Sequence, residues 1–130
     1  MTHLPRLLLL GLLAMSTVIL SAATSVTFTD ITEQAGLRFA HNNGAFGAKY
    51  MPETFGSGAV WLDVDNDGWQ DLLFVNGTSW PERASPSTTA ALYRNDGDGT
   101  FTDITVGSGL DIPIYGMGGT AADFDNDGHV

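Results

Sequence analysis

Short apolar runs alternate with turn-forming residues along most of this chain, and that rhythm predicts β-strands rather than helices. Gly58-Ala59-Val60-Trp61-Leu62 and Asp71-Leu72-Leu73-Phe74-Val75 are both short, apolar and rich in β-formers, and Gly or Asn bounds them. A polar stretch from Asn76 to Thr88, with Gly77, Pro81, Pro86 and several Ser, reads as an exposed insertion. Ala90–Arg94 is the next expected strand, Asn95-Asp96-Gly97-Asp98-Gly99 a tight turn, and Thr100–Thr105 a final strand. The pattern predicts two further strands outside this set, Val26–Ile31 before it and about Gly119–Ala122 after it.

The chain beyond residue 23 also repeats itself. Phe28-Thr29-Asp30-Ile31-Thr32 recurs letter for letter as Phe101-Thr102-Asp103-Ile104-Thr105, an offset of 73 residues. Gly56-x-Gly58 and the acidic segment after it recur 60 residues later, so the two units differ by an insertion of 13. Repeats of this length built from short strands point to a propeller or solenoid array, and four antiparallel strands make one propeller blade. The expectation is an all-β partial β-propeller: one complete four-stranded blade, about residues 56–105, with strands of the two adjoining blades. A closed ring needs about four to eight blades, so residues 24–130 read as the N-terminal piece of a longer propeller.

The acidic segments carry the candidate chemistry. Asp63-Val64-Asp65-Asn66-Asp67-Gly68 and Asp123-Phe124-Asp125-Asn126-Asp127-Gly128 share the pattern Asp-x-Asp-Asn-Asp-Gly. Oxygens at positions 1, 3 and 5, a Gly at 6, a backbone carbonyl at 7 (Trp69) and a carboxylate at 9 (Asp71) form the donor set of a calcium loop. The candidate ligands are Asp63, Asp65, Asp67, Trp69 and Asp71, with Asp123, Asp125 and Asp127 in the second loop. An EF-hand would place Glu at position 12 between helices, whereas Phe74 stands there between strands. Asp, Asn and Gly also favour turns for local reasons, but carboxylates at alternate positions repel one another unless a cation joins them. The expected cofactor is Ca2+.

Composition sharpens the setting. Arg6, the apolar run Leu7–Leu20 and Ser21-Ala22-Ala23 have the layout of a secretory signal over residues 1–23. The run is 14 residues, short of the roughly 20 that span a bilayer, so no stable membrane span is expected after cleavage. The expected location is secreted, periplasmic or cell-surface. Beyond residue 23 only Arg38, Lys49, Arg83 and Arg94 face all 15 acids, which makes nucleic acid a poor partner. The chain has no Cys, so a cation would take the stabilising part that disulfides play in many exported domains.

Other residues carry weaker chemical signals. His41 and Glu53 are the most enzyme-like pair, yet no nucleophile accompanies them; His41 bonding a neighbouring loop and Glu53 capping a turn is the preferred reading. Ser57 and Ser108 lie in Gly-Ser-Gly rather than a nucleophile elbow. Asp96 and Asp98 read as hairpin residues, Trp61 as core between blades, and Trp69 and Trp80 as loop residues able to meet a carbohydrate. Asn76-Gly77-Thr78 is a formal glycosylation sequon and also a turn.

The acidic loops, with Leu92-Tyr93-Arg94-Asn95-Asp96-Gly97-Asp98-Gly99-Thr100-Phe101-Thr102-Asp103, resemble the FG-GAP/VCBS-type repeats of calcium-binding β-propellers. His41-Asn42-Asn43-Gly44, Lys49-Tyr50-Met51-Pro52-Glu53-Thr54, Gly56-Ser57-Gly58 and Tyr115-Gly116-Met117-Gly118 are similar to the N-terminal part of the cartilage-acidic-protein family, whose members usually carry a C-terminal ASPIC/UnbV segment. That resemblance implies a propeller, with the loop aspartates named above as calcium ligands. The preferred reading of function is a non-enzymatic scaffold or an interaction module for a protein or carbohydrate. The alternative is the non-catalytic propeller portion of an extracellular polysaccharide-acting enzyme.

Overall fold

The computed structural model describes residues 25–82 and 86–130, so the signal expected over residues 1–23 lies outside the described residues. Residues 25–30 fall in a separate compact unit and form no strand; the rest of the architecture belongs to residues 31–130. There the chain forms one antiparallel sheet in sequence order, from β1 (Ala59–Leu62), β2 (Asp71–Phe74), β3 (Ala91–Asn95) and β4 (Phe101–Asp103). Each expected strand of the central blade is present within one or two residues at either end. Among the described residues no helix is long and apolar enough to cross a membrane.

The register sorts the strand residues onto two faces. Val60 opposes Leu73, which opposes Leu92, and this row forms one face. Trp61, Leu72, Tyr93 and Asp103 form a row of the other face, beside Phe74 and Phe101. Both faces are covered, which is why the strands read as nearly continuous apolar runs instead of strict alternation. On the Val60 face lies the glycine-rich segment 116–119: the Gly116 N–H donates to Asn76 O at 3.1 Å. A Cβ on Gly119 would come within 3.1 Å of both Val60 and Val75, so any larger residue there would push those side chains aside.

Residues 31–39 cover the other face. Phe39 stacks on Phe74 at 4.6 Å between centroids, and Phe74 meets Tyr93 edge-on at 5.9 Å. The Tyr93 hydroxyl accepts the Arg38 N–H, and Ala35, 2% exposed, accepts the Phe101 N–H through its carbonyl. That last bond closes part of the outer edge of β4, where unpaired backbone groups would otherwise stand open.

Several expectations needed correction. Val26–Ile31 and Gly119–Ala122 are not strands. The segment 116–119 lies against the sheet's face rather than along its edge, so it joins no ladder. The final strand stops at Asp103 instead of Thr105 because the Thr105 hydroxyl accepts the Leu92 N–H at 2.9 Å, the place of a ladder carbonyl. Asn76, Gly77 and Thr78, expected in an exposed insertion, are buried. Trp61, expected as core, is 59% exposed and meets Phe101 at 6.4 Å between centroids, because the cover on its face concentrates on Phe74 and Tyr93. Met51–Thr54 adds a short 3-10 turn to the expected strands; Pro52 near its start fixes the backbone angle it needs.

Leu92 lies at the middle of the sheet and is 2% exposed. Leu92→Ala should lower unfolding free energy by about 2–5 kcal/mol, and Trp61→Ala by clearly less, in chemical denaturation.

Candidate metal centre

The first acidic loop joins β1 to β2 and is shaped by its own carboxylates. Asp63 accepts the Asp67 N–H at 3.1 Å and the Gly68 N–H at 2.9 Å, one through each oxygen. Asp67 accepts the Trp69 N–H at 2.8 Å. Asn66 takes a left-handed backbone (φ 58) and Gly68 follows at φ 88. Asn tolerates that conformation better than most residues, which explains the Asp-Asn-Asp-Gly order.

Asp71, the position 9 residue, sits differently. It is fully buried, at 0% exposure, and both of its oxygens accept backbone N–H groups: Oδ2 from Val64 at 2.8 Å and Oδ1 from Asn95 at 2.7 Å. Burying an ionised carboxylate is costly unless such bonds satisfy it. Asn95 completes the joint from β3, donating its side-chain amide to Gln70 O at 3.0 Å and accepting the Gly97 N–H. Asp71 thereby ties the loop to the third strand, a part that the spacing of the motif did not reveal.

The second loop reproduces the first. Asp123 accepts the Asp127 N–H at 3.1 Å and the Gly128 N–H at 2.8 Å, and Asp127 accepts the His129 N–H at 2.9 Å. Asn126 has φ 60 and Gly128 φ 92. The Gly128 N–H is the chief cause that holds the Asp123 carboxyl below its usual range, with further backbone N–H groups adding to it. The loops also touch: the Asn66 amide donates to Gly128 O at 3.1 Å and lies against His129 Nδ1.

Carboxylate oxygens of Asp63, Asp65 and Asp71 lie within 4.8 Å of one another, and so do those of Asp123, Asp125 and Asp127. Asp67 stands outside the first converging trio, with one oxygen on the Trp69 N–H. Trp69 is half-exposed, and its indole flanks Gly97 at the tip of the β3–β4 turn. Hard, anionic oxygens gathered around one point fit a hard divalent cation such as calcium.

The other candidates resolve into structural parts. Asp96 receives Thr102 Oγ1 at 2.7 Å and the Arg94 guanidinium at 3.0 Å, and Asp98 receives the Thr100 N–H and hydroxyl. These bonds, to Thr102 first for Asp96 and to Thr100 for Asp98, hold both carboxyls below their ordinary range. Arg94 is correspondingly raised, by Asp96 first, with Asp65 and Asp67 adding to the field. His41 Nδ1 lies 2.8 Å from Ser57 Oγ and 3.2 Å from Asn76 Oδ1, and Glu53 Oε2 accepts the Lys49 N–H, so the pair has the structural bonds expected of it. Asn76 is 3% exposed and also accepts the Asn42 N–H, so its amide is not open to a glycan. Trp80 is half-buried between Tyr115, stacked at 4.5 Å, and Tyr50, edge-on at 4.8 Å.

A four-stranded antiparallel meander with an aspartate loop between its first two strands, and that loop repeated, defines a propeller-type repeat protein. The model of the FG-GAP-like repeat matches residues 63–130, more than half of the chain, and the chain belongs to that family. Comparison with the curated proteins and with the solved structures found no match in either.

Two outcomes separate the parts of the loop. Asp71→Asn turns an acceptor pair toward two N–H groups into one acceptor and one donor, and should cost about 1–3 kcal/mol in calcium-free thermal or chemical unfolding, whereas the exposed Asp65→Asn should change it by under about 0.5 kcal/mol. The lowered Asp96 carboxyl contributes stability above the usual carboxylate pKa of about 4, and that contribution fades as pH falls through its lower folded value. Asp96→Asn should therefore unfold with a shallower pH dependence below about pH 4 than the parent chain in acid titration.

Proposed function

We propose that this chain is an exported propeller repeat module whose acidic loops bind calcium, and that it serves as a scaffold or interaction surface. What carries the reading is a loop built twice: two copies 60 residues apart share the same carboxylate-to-backbone bonds, and each gathers three carboxylates within 4.8 Å, those at positions 1, 3 and 9 in the first and 1, 3 and 5 in the second. A turn needs only one Asx side chain to close. Three anions held together twice, in a chain already rich in negative charge, favour a divalent cation as their common partner.

In this reading Asp63, Asp65, Asp67 and Asp71, with the Trp69 carbonyl, hold the first ion, and Asp123, Asp125 and Asp127 hold the second. Bound calcium supplies positive charge that offsets carboxylate repulsion and fixes the loop's end of the sheet. Asp71 carries that order into β3 through the Asn95 N–H. Asp63 keeps the turn closed through Asp67 and Gly68, so the loop is preformed before any ligand arrives. The stiffened loops then present a fixed surface to a protein or carbohydrate partner outside the cytosol. The reading is non-catalytic and takes the similarity to the cartilage-acidic-protein, ASPIC/UnbV-associated family as its guide to setting.

Calorimetric titration with calcium tests it. The parent chain should bind and its thermal midpoint should rise, with chelator reversing the rise, while Asp65→Ala combined with Asp125→Ala should show neither effect. An unchanged response in that double variant, or no binding by the parent, would overturn the proposal.

A further inference from the structure

We propose that Asn66 is a positioning residue for the second loop, so that cation binding at the first loop strengthens binding at the second. The inference rests on the calcium reading above and adds a coupling between the two sites. The first loop has an anchor of its own in the fully buried Asp71, bonded to Val64 and Asn95. The second loop's converging carboxylates, Asp123, Asp125 and Asp127, are all exposed. Its bonds from Asp123 and Asp127 are local, spanning two to five residues.

Asn66 supplies the hold that comes from elsewhere. Its amide donates to the Gly128 carbonyl at 3.1 Å and lies against His129 Nδ1, across 62 residues of sequence. The Gly128 carbonyl and the His129 N–H belong to one planar peptide unit. Asn66 holds that unit by its oxygen, and Asp127 Oδ1 holds it by its N–H at 2.9 Å. The clamp therefore fixes the peptide to which a candidate ligand, Asp127, is itself bonded. Asn66 stands between Asp65 and Asp67, in the left-handed conformation at φ 58, so a cation ordering those two carboxylates orders the clamp as well. Order at the first loop thus lowers the ordering cost at the second, and linkage makes the effect reciprocal.

The test is a calcium titration of the full chain followed by NMR, with the Gly68 and Gly128 amides reporting the two loops separately. Asn66→Gly suits the backbone, since glycine accepts positive φ freely, and removes only the exposed amide. It should weaken the affinity read at Gly128 by roughly 3- to 10-fold, the worth of one hydrogen bond, and leave that read at Gly68 within about 2-fold. Asp65→Ala, which disables the first loop, should weaken the Gly128 reading by a similar factor. Asn126→Gly makes the same backbone change in the second loop without removing the cross-loop bond, and should weaken Gly128 less than Asn66→Gly does. A Gly128 affinity unchanged in Asn66→Gly or in Asp65→Ala, or equal weakening at both loops in Asn66→Gly, overturns the coupling while leaving calcium binding intact. No calcium response at either glycine of the parent chain overturns the calcium reading itself, and the coupling with it.

Discussion

Everything at the acidic-loop end of the blade depends on where Asp71 goes. It is the first residue of β2 and the ninth of the acidic loop, and it is fully buried with one backbone N–H on each oxygen. One bond reaches back to Val64 in the loop and the other across to Asn95 at the end of β3. Charge-assisted bonds of this kind are stronger than neutral ones, which lets a carboxylate stay in the interior. The same carboxylate faces Asp63 and Asp65 within 4.8 Å, so fold and candidate site share one side chain. A change in the loop's electrostatics is therefore felt in the sheet directly, with no intermediate element.

The second constraint is that the sheet is covered on both faces by segments with no regular structure. Such cover works only where the backbone can come very close, and Gly116 and Gly119 supply that on one side against Val75 and Val60. On the other side aromatic stacking of Phe39 on Phe74 and the Arg38–Tyr93 bond do the work. Asn76 connects the covers, bonding residues 41 and 42 through its side chain and residue 116 through its carbonyl. A residue that reads as a turn or a glycan acceptor thus becomes an interior fastener.

The central strands and both acidic loops were legible because their signals are local. Apolar runs bounded by Gly and Asn mark the strands, and Asp-x-Asp-Asn-Asp-Gly marks a turn whose own side chains bond its own backbone. What the sequence hid was set by distant partners. The burial of Asn76 depends on residues some 35 positions away, the early stop of β4 on a hydroxyl at Thr105, and the exposure of Trp61 on how narrowly residues 31–39 cover its face. Val26–Ile31 and Gly119–Ala122 have strand-like composition, yet a strand exists only where another offers its backbone, and composition cannot show that. The cross-loop bond from Asn66 is of the same kind: its left-handed preference is readable from the motif, and its partner 62 residues on is not.

The central claim is that the aspartates of each loop converge to hold a calcium ion. Anomalous diffraction from crystals grown with calcium tests it most directly. The account predicts a calcium peak about 2.3–2.6 Å from oxygens of Asp63, Asp65 and Asp71, and a second among Asp123, Asp125 and Asp127. A well-phased map with ordered loops and no anomalous peak between those carboxylates would contradict it.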